Sequence, residues 1–274
     1  MLHLKSTSAI FRYRELLWTL VWKEILVRYK QAYLGVAWTL LKPVMLMLVF
    51  TLMRSFIGID SGSVPYPVLT FTALIPWVFF QEGVALGVVS IVNNATLVKK
   101  IYFPREIFPL VAVLTKVVEF CVDMLVLFGL MAWYGLYPSD QILWLPLLLA
   151  YLVLAALAVN LAGSACNVFY RDVAQLLPVA ISLVMYASPI IYPLSLVKKT
   201  LLEKQAAGAS SDLLYLLYTT NPLVGIVDAF QKVLLQGQPP DWNVIWPGLT
   251  LVCMALPLSY EVFKRAETSF ADVI

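Results

Sequence analysis

The sequence predicts an all-α polytopic membrane protein: six transmembrane helices, an N-terminal interfacial amphipathic helix, and short re-entrant or interfacial helices between spans 5 and 6. Three observations carry that prediction. Hydrophobic residues make up 61% of the 274 and charged residues only 13%, whereas a soluble domain runs near ~25% charged. Apolar runs close to the ~20 residues that cross a bilayer recur along the chain. The breaks between them alternate between basic segments and Gly, Pro and Ser turns, which sets one side of a membrane against the other. The chain reads as a single transmembrane domain over 1–274.

Residues 12–31 place Trp18, Trp22, Ile25 and Tyr29 on one helical stripe and Arg12, Thr19, Lys23 and Lys30 opposite it. This is the pattern of a helix lying in the headgroup region. Arg12, Arg14, Glu15, Lys23 and Glu24 interrupt any apolar core that a signal peptide needs, so no cleaved leader is expected. The spans follow at about 36–57, 68–92, 107–134, 142–167, 173–191 and 244–263. Exterior turns are expected at 58–67 and 137–141, and a cytoplasmic turn at 169–172. The segment 194–242 contains two short apolar pieces split by Asn221-Pro222; neither is long enough to span, which suggests re-entrant or interfacial helices on the exterior side. Lys and Arg crowd the segments assigned to the cytoplasm, while Arg54, Lys198, Lys199, Lys204 and Lys232 fall outside. Both termini are therefore expected in the cytoplasm, in a multi-pass protein of a plasma membrane.

Several function classes are disfavoured. A net charge of +3 without a long basic run gives nucleic acid no footprint. Cys121, Cys166 and Cys253 lie in apolar runs without metal-ligand spacing, and the one histidine is His3. No G-x-x-x-x-G-K-[ST] loop occurs, so energy-driven work requires ATP from a separate subunit.

Charges inside spans cost roughly 2.5–3.5 kcal/mol each on insertion scales and call for an explanation. Lys116, Glu119 and Asp123 are spaced i, i+3 and i+7, along one face of the third span, and Glu82 of the second span is a candidate partner. This intramembrane polar network either lines a hydrated path or fixes helix packing. The second loop, 93–106, carries Lys99, Lys100 and Arg105, with Asn93 and Asn94 as helix starters and Pro104 as a stop. A short helix tied to two spans can pass on a push from a soluble partner; it can also be a basic anchor. Tyr186 and Tyr192, around the Pro189 break, are the aromatic pair placed toward a pore.

Six pieces stand in a fixed order along the chain: Arg28-Tyr29-Lys30 with Leu34-Gly35 and Trp38, Phe103-Pro104-Arg105-Glu106, Asn167-Val168-Phe169-Tyr170-Arg171-Asp172, Ser188-Pro189-Ile190 with Tyr192, Asn221-Pro222, and Phe270-Ala271-Asp272-Val273-Ile274. Taken together, their order and spacing resemble the permease subunits of ABC-2 type polysaccharide exporters, a family that includes the O-antigen, capsule and teichoic acid export permeases. The resemblance covers nearly the whole chain. It implies a transport subunit with no catalytic or metal site and no cofactor of its own, acting as a pair with a second copy above two ABC ATPase subunits that bind ATP and Mg. It implies as cargo a lipid-linked polysaccharide, O-antigen-like, crossing a bacterial inner membrane. Capsular polysaccharide and small-molecule export, or a membrane glycan-modifying enzyme, are the alternatives. In the family the N-terminal helix, here with Trp22 and Lys23, and the loop holding Lys99, Lys100, Phe103 and Arg105 contact the ATPase. Arg28, Lys30 and Lys42 would then meet a diphosphate, although retention of positive charge inside explains the same residues.

Overall fold

A computed structural model describes residues 12–30, 37–57, 64–206 and 211–274. His3, the Leu34-Gly35 pair and most of the first exterior turn lie outside the described residues. All regular structure among the described residues is helical: α1 (Arg14–Tyr29), α2 (Ala37–Ile57), α3 (Tyr66–Asn93), α4 (Ala95–Lys100), α5 (Ile107–Trp133), α6 (Leu145–Phe169) and α7 (Val173–Tyr186). These are followed by α8 (Leu194–Ala206), α9 (Ser211–Thr220), α10 (Pro222–Gln231), α11 (Trp242–Glu267) and α12 (Phe270–Val273).

Helix α3 is the axis of the bundle. It is apolar on nearly all sides except at Gln81 and Glu82, and Ala73, Leu74, Ile75, Trp77 and Val84 are fully enclosed, the signature of a helix with neighbours on every side. Those neighbours are α2, α5, α6, α7 and α10. The approach of α6 is set by Gly87: a Cβ there would lie 2.2 Å from the side chain of Asn160. Asn160 donates instead to the Gly83 carbonyl at 3.1 Å. Small residues that let helix backbones meet are the usual means of packing where no hydrophobic force drives helices together.

Four helical stretches, 39–56, 66–93, 140–169 and 242–267, are long and apolar enough to cross a membrane, and a bent pair brings the number to five. Helix α5 has 27 residues and ample length, but Lys116, Glu119 and Asp123 stand in its middle. The expected span at 173–191 ends early. Its helix stops at Tyr186 after 14 residues, about 21 Å at 1.5 Å per residue, which is short of the ~30 Å hydrocarbon core. The stop is local: the residue before a proline is pushed out of helical geometry, and here the Ser188 hydroxyl turns back to the Val184 carbonyl at 2.8 Å.

The segment 194–242 forms short helices. At Asn221-Pro222 the chain bends by 85° between α9 and α10. Asn221 caps α10, its side chain accepting the Leu223 amide at 3.1 Å, and Pro222 takes the first helical position, where no amide is needed. Asn221 also donates to Ser188 Oγ at 3.0 Å, so the end of α7 and the start of α10 fix one another. A turn through 232–236 ends at Gly237, whose φ of 63° suits glycine. Asp241 then caps α11 through the Asn243 amide at 3.1 Å.

Candidate functional site

Two charged clusters organise the bundle. The first lies in the middle of the helices. Lys116 of α5 is buried and bonds both Glu119, one turn along its own helix, and Glu82 Oε2 of α3 at 2.6 Å. Glu119 Oε1 accepts from Arg28 Nη1 at 2.6 Å and from the Tyr29 hydroxyl at 3.0 Å, both on α1. Glu82 Oε1 accepts from Lys42 of α2 at 3.2 Å. Lys42 also reaches Gln81 at 3.0 Å, and Gln81 donates to Ser182 of α7 at 3.0 Å. Charge-assisted bonds thus join four helices, α1, α2, α3 and α5, and the neutral Gln81–Ser182 bond adds α7. Glu82 faces two cations, and the buried Glu119 faces two cations and a neutral donor, which is what allows their charge to persist in apolar surroundings. Burial first, and the Glu119 carboxylate second, push the Tyr29 hydroxyl above its ordinary pKa, so it stays a donor.

Asp123, the third charge on the α5 face, stands apart. It is buried, and its Oδ1 has no hydrogen-bond partner among the described residues. A pocket of about 10 Å³, near the room one water needs, is lined by Asp123 together with Glu82, Lys116, Glu119 and Thr39.

The second cluster gathers where the 93–106 segment meets the end of α11. Lys99 and Lys100 are exposed, as are Ile101 and Tyr102, the latter 95% accessible. Phe103 turns inward, buried with its ring 5.3 Å from that of Phe108. Arg105 also turns inward: its amide donates to Glu267 Oε1 at 3.1 Å and its Nη1 to the Glu267 carbonyl at 2.8 Å. Lys264 bonds Glu106 and Glu267, each at 2.7 Å. The helix α1 arrives at the same end of the bundle. Leu17 and Val21 are its buried positions, packing with Ile91, Val98 and Phe108, while Trp18 and Trp22 remain 59% and 62% exposed. Its protein-facing side is therefore the Leu17, Val21 and Arg28 side, and the tryptophans face away. A cleft of about 60 Å³ separates Lys23 and Glu24 from Asn93 and Asn94.

The remaining expected site residues are dispersed. Lys30 is exposed at the end of α1. Tyr186 is exposed at the end of α7, and Tyr192 folds back to donate to its carbonyl at 3.1 Å. Sequence spacing places Lys116 beside Glu119 and points to Glu82, but it leaves out the links from Arg28, Tyr29, Lys42, Gln81 and Ser182. The only signal available was for Arg28 and Lys42, each a cation near the end of its helix, and none marked Tyr29, Gln81 or Ser182. Among the described residues, no three or more His, Cys, Asp or Glu side chains converge on a metal position.

An all-helical bundle with four or five helical stretches long and apolar enough to cross a bilayer is the architecture of a multi-pass membrane protein. Residues 15–204 match the family described as ABC-2 type transporter, and the chain belongs to that family of membrane transport subunits. It is 27% identical over 272 residues to the O-antigen export system permease protein RfbA of Myxococcus xanthus, covering 99% of this chain and 100% of that one. Two proteins of the same description from Klebsiella pneumoniae are 26% and 24% identical, each over 92% of both chains.

Proposed function

We propose that the chain is the transmembrane permease subunit of an ATP-driven exporter that moves a lipid-linked, O-antigen-like polysaccharide from the cytoplasm across the inner membrane. The observation that carries this reading is similarity along nearly the whole chain to permeases named for O-antigen export. Two copies form the path, and two ABC ATPase subunits beneath them bind ATP and Mg. Six crossings, α2, α3, α5, α6, α7 with its 187–193 extension, and α11, put both termini in the cytoplasm. The internal pairing on α5 supports its crossing, because its Lys and Glu neutralise one another inside the bundle.

ATPase closure pushes on the exposed 99–102 face and on α1. Arg28 and Tyr29 hand the motion of α1 to α5, and Lys116 hands it to α3. A diphosphate headgroup meets Lys30 and the exposed side of Lys42. Deletion of the gene tests the reading: full-length lipid-linked polymer should accumulate on the cytoplasmic side and vanish from the surface. Absence of polymer, or surface polymer of altered structure, would transfer the assignment to a glycan-modifying enzyme.

A further inference from the structure

The C-terminal residues are not drawn on by the mechanism above, yet one of their side chains, Phe270, is among the best enclosed in the molecule. Phe270 is fully buried. Its ring lies 5.5 Å from that of Phe263 on α11 and 6.3 Å from that of Phe169 on α6. The Arg105 guanidinium sits 5.8 Å over its face. Helix α12 packs against both α4 and α6. A four-residue helix is too short to hold itself together, so its place is set by these contacts. Two kinds of fastening converge on one segment: an aromatic plug, and the bonds from Arg105 and Lys264 to Glu267 and Glu106.

We infer that Glu267 and Phe270 are positioning residues that fasten the exposed 99–102 face to the end of α11, so that displacement of that face moves α11 along with α3 and α5. Without the clasp, α4 is continuous only with α3 before it and α5 after it. With the clasp, the same displacement acts on three spans, and α11 in turn packs on α6 and α10. The inference rests on the reading of 99–102 as the ATPase-facing surface. Arg105 accordingly acts within the clasp, its side chain committed to Glu267, and of the three cations in the 93–106 segment Lys99 and Lys100 are the exposed ones.

Spin labels test the clasp on the full-length chain in lipid nanodiscs, without any ATPase. Labels go on Lys100→Cys and Asp272→Cys, both exposed positions, after Cys121, Cys166 and Cys253, which are also exposed, are replaced by Ser. The parent should give one narrow distance distribution, Phe270→Ala a broad one, and Phe270→Leu a narrow one again. In the complex with its ATPase, Phe270→Ala should retain bound ATPase and ATP hydrolysis while polysaccharide export falls about tenfold, within the coupling range seen for residues away from ligands, and Phe270→Leu should restore it. An unchanged distribution in Phe270→Ala overturns the clasp, as does an export loss that only follows lost ATPase binding. A parent complex that exports no polysaccharide overturns the exporter reading instead and leaves the distance result to decide the clasp.

Discussion

The cluster inside the bundle and the clasp at its end share a motif, a lysine between two carboxylates: Lys116 with Glu82 and Glu119, and Lys264 with Glu106 and Glu267. Their surroundings differ. The Lys116 side chain is 3% exposed, that of Lys264 30%. In the first, Lys116 and Glu119 are enclosed while Glu82 keeps an open side, so water cannot replace a partner lost between Lys116 and Glu119, and that pairing is obligatory. In the second, water reaches the lysine and one carboxylate, and Phe103, Phe263 and Phe270 supply the enclosed apolar surface. There the ion pairs set register and the aromatic rings hold the segment.

The largest effect separating the two regions should come from Lys116→Met. It leaves Glu82 and Glu119 facing one another with fewer cations and should destabilise the fold by about 3–5 kcal/mol, the usual result of breaking a buried pair. Denaturation midpoints in detergent measure it, and adding Glu119→Gln should recover part of the loss. A Lys116→Met chain as stable as its parent would contradict obligatory pairing. The matching change in the clasp, Lys264→Met, should cost only about 1–2 kcal/mol, because hydration replaces some of the lost bonds. Hydrogen exchange should localise that change to 103–108 and 263–274. Equal global losses for the two variants would erase the distinction.

The sequence made the two clusters legible to different depths. Along one helix, spacing is enough: positions three apart share a face, so Lys116 and Glu119 fall within reach. The bend at Asn221-Pro222 was likewise legible, because capping and proline chemistry are local. Links between helices depend on depth and rotation, which no single helix encodes, and so the attachment of Arg28 to Glu119 and of Lys42 to Glu82 emerged only from the fold. The 93–106 loop shows the same limit. Lys99, Lys100 and Arg105 look alike as basic loop residues, yet two point outward and one turns to Glu267, and Phe103 is buried while neighbouring Tyr102 is almost fully exposed. The tail motif at 270–274 stood out by resemblance, but apart from Phe263 its partners lie more than a hundred residues away in sequence, on α6 and the 93–106 loop.

In the proposed mechanism force enters at the 99–102 face, and its most direct test is Lys99→Glu with Lys100→Glu in one chain. Both side chains are exposed, and exposed substitutions of this kind usually change stability within about 0.5 kcal/mol, so the bundle should remain intact. Co-purification of the ATPase should fall about tenfold, a loss on the order of 1.4 kcal/mol, and surface polysaccharide should fall with it. Undiminished co-purification together with normal surface polysaccharide, from a chain of unchanged denaturation midpoint, would contradict the docking role of this face.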